Sequence, residues 1–364
     1  MKRIFVFLSV ALILFNSLSC SRQGENVVKI GAILPLTGDG ARYGEADRNG
    51  FELALSEIEG LNIEILYEDN QGTAKGSVDA FNKLISTYDI PVVTGLMFSS
   101  SALAVAPLAE RNNVVVFSTT ASSPDLTDAG DYFFRNWPSD VYEGGRMAEF
   151  TYNELGLRRV AILSVNLDYG VGLTKVFSEQ FKKLGGEITA VEYYEQAATD
   201  FRTQLTKLWN ENIDAIYLPG YYSEIGLILR QAIEIEIETQ FLSCVGFDNP
   251  KVIEIAGSAA NGVIFARPFY NPESDNTIVK NFVDKFKKRY GSEPGIYAAH
   301  AYDALRIIAE AIKKGGNSPE EIIEGLYTIK NFSGVTGETS FDVNGDVVKP
   351  IQFMKVHNGN FVKY

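Results

Sequence analysis

The segment PVVTGLMFSSSALAVAPLAERNNVVVF, Pro91 to Phe117, holds one complete strand–helix–strand unit. Pro91 to Thr94 is a short β-branched run that predicts a strand. Ala102 to Asn112 carries apolar residues at helical spacing, and Val114 to Phe117 predicts a second strand. Between the first strand and the helix stands Gly95-Leu96-Met97-Phe98-Ser99-Ser100-Ser101. After the second strand comes Ser118-Thr119-Thr120-Ala121-Ser122-Ser123-Pro124. Strands joined through a helix pair in parallel, so both polar turns fall at the same carboxyl edge of one sheet.

The same alternation extends in both directions. Upstream, Val28 to Leu34 and Ile63 to Tyr67 read as strands. Tyr43 to Ile58, with apolar Phe51, Leu53, Ala54, Leu55 and Ile58, and Ala74 to Thr87 read as helices. A break at Asn136-Trp137-Pro138-Ser139-Asp140 separates this half from a second. There, helices are expected at Val141 to Leu155, Leu173 to Leu184, Phe201 to Asn210 and Ser223 to Ile235, with strands at Val160 to Val165, Ile188 to Tyr193, Ala215 to Leu218 and Gly262 to Phe265. Two amphipathic helices follow, Thr277 to Arg289 and Tyr297 to Lys314. From Thr339 the chain turns to strands and tight turns, among them Asp342-Val343-Asn344-Gly345-Asp346 and Asn358-Gly359. The fold class is therefore α/β, with two doubly wound Rossmann-like lobes whose strand ends face each other across a cleft.

The whole chain agrees with that division. Its 364 residues, 46% hydrophobic and 22% charged, suit two domains better than one. A net charge of -13 argues against a nucleic-acid partner, which needs clustered Lys and Arg. Met1-Lys2-Arg3 followed by the apolar run Ile4 to Phe15 matches a secretory signal segment within residues 1–20, and no later stretch is long and apolar enough to span a membrane. Cys20, after small Ser19, resembles a lipoprotein processing site, although Ser17 stands where an aliphatic residue is usual. Cys244, in an apolar run far along the chain, is expected as a buried free thiol.

The chemistry resides in the turns. Hydroxyls and free N–H groups at a helix N-terminus make an anion site without any cation, and two such turns side by side suit a carboxylate. The second half offers Asp168-Tyr169-Gly170 and Gly220-Tyr221-Tyr222, whose phenols combine apolar area with a polar tip. Of the two histidines, His300 on its helix reads as packing, and His357 is remote from it. There is no nucleophile elbow, phosphate-binding loop or paired-cysteine metal motif, so neither catalytic residues nor a metal or other cofactor are expected.

In order along the chain, Lys29 to Gly38, Tyr43-Gly44, Asn49-Gly50, Glu68-Asp69-Asn70, Ser99-Ser100-Ser101, Asp168-Tyr169-Gly170, Gly220-Tyr221, Leu229-Arg230-Gln231-Ala232, Ala256-Gly257 and Gly262-Val263 resemble the type I periplasmic binding proteins of the Leu/Ile/Val-binding class, receptors of branched-chain amino acid ABC importers. The resemblance covers essentially all of the chain after the signal segment. It implies two lobes joined by three crossovers, about 27–137 plus 271–337 and 138–270 plus 338–364, that close on a ligand. It implies that Ser99 and Ser122 grip a ligand carboxylate, that backbone near Thr120 assists, that Tyr43, Tyr169 and Tyr221 close over the ligand, and that Phe98 lines the side-chain pocket; Phe247 would favour an apolar or aromatic acid. It further implies a monomer on the periplasmic or cell-surface side of the membrane, anchored through Cys20, with an ABC permease as partner. One position departs from the pattern: Val245 falls where an acid normally holds the ligand ammonium. Either Asp248 or another carboxylate substitutes, or the ligand is an organic acid without an α-amino group. A ligand sensor reporting to a kinase or chemoreceptor is the alternative class.

Overall fold

The computed structural model describes residues 27–38, 40–209 and 212–364; the signal-like segment and Cys20 lie outside the described residues. The first half runs β1 (Val27–Leu34), α1 (Ala41–Leu55), β2 (Asn62–Asp69), α2 (Ala74–Thr87), β3 (Val92–Gly95), α3 (Ser99–Asn112), β4 (Val115–Ser118) and β5 (Phe133–Arg135). Its five strands form one all-parallel sheet in the order β2-β1-β3-β4-β5. Central strands of such a sheet are covered on both faces, which is why β3 and β4 read as nearly unbroken apolar runs and are buried throughout.

The second half runs α4 (Asp140–Glu149), prolonged by a wider π turn over Phe150–Glu154, then β6 (Arg159–Val165), α5 (Asp168–Lys183), β7 (Glu187–Tyr194), α6 (Arg202–Trp209), β8 (Ala215–Leu218), α7 (Tyr222–Glu234), β9 (Gln240–Ser243), α8 (Lys251–Ala256) and β10 (Ile264–Pro268). Three helices follow, α9 (Thr277–Tyr290), α10 (Ile296–Gly315) and α11 (Pro319–Thr328). A small hairpin, β11 (Phe332–Gly334) with β12 (Gly337–Thr339), then leads to β13 (Ile351–His357) and β14 (Asn360–Lys363). The second sheet has the order β14-β13-β10-β9-β8-β6-β7, antiparallel only where β13 joins β10 and β14 joins β13.

The chain thus returns to its first half before ending in its second. α9 and α10 pack on α1, α10 and α11 reach β4, and then β13 pairs with β10. The segment before β13 is fixed to the first half by a buried ion pair. Arg135 at the end of β5 grips both oxygens of Asp346, at 2.6 and 2.8 Å. Phe341 meets Phe117 and Phe134 edge-on beside it.

Helix ends follow local chemistry. Thr73 accepts the Gly76 N–H at 3.0 Å to open α2, and Ser318 with Glu321 forms a reciprocal capping box on α11. α3 and α5 begin earlier than their apolar spacing predicts, at Ser99 and Asp168, because their first turns are polar and face the space between the sheets. The short β5, the hairpin of β11 and β12, and the helices α8 and α11 have no counterpart in the expected elements.

Candidate functional site

β3 and β4 are neighbours in register, with Gly95 opposite Ser118, so the turns that follow them meet. The backbone reverses sharply after β3: Gly95 and Leu96 both have positive φ, at 87° and 46°. A side chain at Gly95 would stand 2.5 Å from the Ile33 carbonyl oxygen, so the residue type is dictated by close approach as well as by φ. This reversal aims Met97, Phe98 and Ser99 across the sheet edge. Ser99 Oγ accepts the N–H groups of Ser122 and Ser123, at 3.3 and 3.1 Å. Thr120 donates to the Met97 carbonyl at 3.1 Å, and Ser118 donates to that of Leu96 at 3.1 Å. The two turns are stitched into one polar wall that includes the N-terminus of α3, whose first N–H groups have no partner within the helix.

Tyr169, in the first turn of α5, and Tyr221, just before α7, stand at the carboxyl edge of the second sheet. Their rings stack with centroids 5.4 Å apart, and Tyr221 continues onto Phe98 of the first half at 4.8 Å. Tyr43 of α1 reaches across from the other side. Its hydroxyl donates to the Gly246 carbonyl at 2.7 Å and accepts the Tyr222 N–H at 3.3 Å. Tyr297, in the first turn of α10, donates to the Val245 carbonyl at 2.9 Å. Burial raises the pKa of all four phenols well above the ordinary value, so each stays a protonated donor.

These groups surround one small cavity between the two halves. Seven of the expected residues line it: Ser99, Thr120 and Ser122 on the polar wall, Phe98, Tyr43, Tyr169 and Tyr221 around it. Phe247 does not. Its ring is turned into the second half, against Phe265 and Phe361 at 5.1 and 5.9 Å, because the 3-10 turn Val245–Phe247 presents Val245 and Gly246 to the cavity instead. Asp248 is also absent from the lining; it is paired with Arg267 at 2.6 Å, so it is committed elsewhere. Trp137 and Tyr297, whose rings stack at 5.8 Å, and Met97 complete the wall without having been singled out in the sequence. Their only trace there was position, Trp137 in the break between halves and Tyr297 at the head of a helix.

Behind the cavity lie acids that hold protons more tightly than usual. Burial pushes Asp140 up to about 7 and Glu143 well above its ordinary value, with the Asp140 charge adding to the Glu143 shift. Asp47, donated to by Thr119 at 2.5 Å, is likewise raised by burial. Cys244 is buried, its thiol pushed up to about 12, and is inert at neutral pH. His300 is enclosed on α10, with Nδ1 3.0 Å from the Ile296 carbonyl oxygen and Trp137 against its ring. Among the described residues no cluster of His, Cys, Asp and Glu could hold a metal ion, and no helix is long and apolar enough to cross a membrane.

Comparison with known proteins places these features in a wider group. The family model of the periplasmic binding proteins matches residues 27–360. A leucine binding protein from Thermotoga maritima has a similar structure, with a TM-score of 0.89 and 33% identity over 93% of this chain and 97% of its own. The branched-chain amino acid transporter substrate binding protein of Streptococcus pneumoniae, solved with isoleucine, has a TM-score of 0.85 and 31% identity over 92% of this chain and 97% of its own. The leucine-, isoleucine-, valine-, threonine- and alanine-binding protein of Pseudomonas aeruginosa is 27% identical over 351 residues, 94% of this chain and 92% of that one.

Proposed function

The chain belongs to the periplasmic binding protein family, and from that premise we propose that it is an extracytoplasmic receptor that closes on a small carboxylate-bearing ligand and delivers it to an ABC importer. The observation that carries the reading is the wall formed by Ser99, Thr120, Ser122 and the N-terminus of α3, facing Tyr169 and Tyr221 across one cavity. A carboxylate needs several directed donors, and the Ser99 hydroxyl with the first backbone N–H groups of α3 offers them without a competing cation. The aromatic rings around the remainder favour an apolar side chain, branched or aromatic. The relatives whose names specify leucine, isoleucine or valine support that choice.

The lobes of this reading are 27–137 plus 271–337 and 138–270 plus 338–364. The separate sheets, the return of α9 to α11 onto α1 and β4, and the pairing of β13 with β10 support the division. Ligand binding draws the lobes together, because Tyr43 and Tyr297 from one lobe bond to carbonyls of the other; the closed form docks on the permease. Export through the leader and a lipid anchor at Cys20 belong to the same proposal, as does action as a monomer. Calorimetric titration with leucine, isoleucine, valine and phenylalanine tests it. Binding in the nanomolar-to-micromolar range by at least one is expected, and silence across amino acids and their deaminated counterparts would refute it.

A further inference from the structure

Two carboxylates beside the cavity have no role in gripping an acid. Asp140 and Glu143 stand in the first turn of α4, both buried. Glu143 Oε1 accepts the N–H of Val245, the cavity-wall residue, at 2.9 Å, while Oε2 is buried without a hydrogen-bond partner among the described residues. The Ser122 hydroxyl, on the opposite part of the wall, faces Asp140. Tyr169, Tyr217, Cys244 and Tyr297 surround the pair, none of them cationic. Arg135, whose charge is felt at Asp140, is already paired with Asp346, and the Asp248 carboxylate adds negative charge near Glu143. Burial holds these two acids, one helical turn apart, toward their protonated forms, and a cation brought from outside would favour the ionised form.

The cavity has one end rich in donors and another, at Val245, backed by Glu143, with Asp140 lying between Glu143 and Ser122. We propose that Glu143, supported by Asp140, is the counter-charge for an ammonium group on the ligand, so that the site selects α-amino acids over simple carboxylic acids. The inference rests on the functional reading above and narrows its substrate class. Glu143 acts from one layer behind the surface, across the Val245 peptide, and is a specificity-determining residue. No acid on the turn after β9 is then required, since α4 delivers the charge to the same end of the cavity from the opposite side.

The test compares leucine with isocaproate, and phenylalanine with hydrocinnamate, by calorimetry on the wild-type protein and on Glu143→Gln. Wild type should bind the amino acid at least about tenfold tighter than its deaminated analogue. Glu143→Gln should lose about tenfold or more for the amino acid and change the analogue's affinity by less than about twofold. Glu143→Asp, which keeps the charge, should retain part of the preference. Should Glu143→Gln fail to fold, the wild-type preference measured from pH 9 down to pH 5 serves in its place, and it should shrink as the acid pair takes up protons. A wild-type protein that prefers the analogue, a variant that weakens both ligands alike, or a preference unmoved by pH overturns the assignment of Glu143 while leaving the receptor reading intact. A wild type that binds neither class overturns the receptor reading itself.

Discussion

Ser99 owes its position to two neighbours in the sequence. Gly95 and Leu96 adopt the left-handed turn that ends β3, and Ser99 Oγ is then held by two N–H groups of the facing turn. Removing that hydroxyl takes away one of the groups at the proposed carboxylate end, and Ser99→Ala should weaken ligand binding by about tenfold to a hundredfold in calorimetry, the range of a hydrogen bond to a charged group. Asp140 gives a second expectation at this scale. Its carboxyl titrates near 7 in the folded chain, above the ordinary 3.8, so the unfolded chain releases this proton first as pH rises. Stability from this group is therefore undiminished below about pH 4, declines between about 4 and 7, and stays lowered above. Asp140→Asn should melt higher than wild type at pH 8 and no higher at pH 4, as followed by circular dichroism. Residues in the polar turns were legible in the sequence because a turn between a strand and a helix at a sheet edge leaves its polar groups few other places to go. Phe247 was not, since within a 3-10 turn the direction of each side chain depends on the packing behind it, here Phe265 and Phe361. Tyr297 could not be found by local pattern, because it reaches the site from a helix that returns to the first half late in the chain.

At the scale of elements, the apolar spacing located the central strands and most helices. It misplaced the starts of α3 and α5, whose first turns are serines or Asp168-Tyr169-Gly170 and so carry no apolar stripe. α11 did carry a readable signal, the capping box of Ser318 and Glu321 with Pro319 at its first position. β5 is only three residues long, too short for alternation to register. The turn after β9 is the tightest joint between elements. A Cβ on Gly246 would lie 1.9 Å from the Gly220 carbonyl oxygen, a backbone atom that cannot swing aside. Gly246→Ala should push this turn away from the start of α7 and so separate Tyr221 from the Val245–Gly246 wall. Thermal unfolding should show a loss of about 1–3 kcal/mol, and ligand affinity should fall with it.

For the whole molecule, the proposed closure would rest on a few directed bonds between halves. The Tyr43 hydroxyl bonds to Gly246 and Tyr222 together, so Tyr43→Phe removes two cross-lobe contacts while preserving the ring that packs on Phe98 and Tyr297. The equilibrium should shift toward the open form. Small-angle X-ray scattering at saturating ligand should show a smaller decrease in radius of gyration than wild type gives, and an unchanged decrease would refute this role. The pairing of β13 with β10, after α9 to α11 have packed on α1 and β4, has a further consequence. A chain emerging amino end first cannot finish either half in a single pass: one half waits for its outer helices, the other for its closing strands. Any attempt to express one half as a continuous fragment would leave a bare sheet border or an uncovered helix face, and such a fragment should aggregate where the intact polypeptide does not.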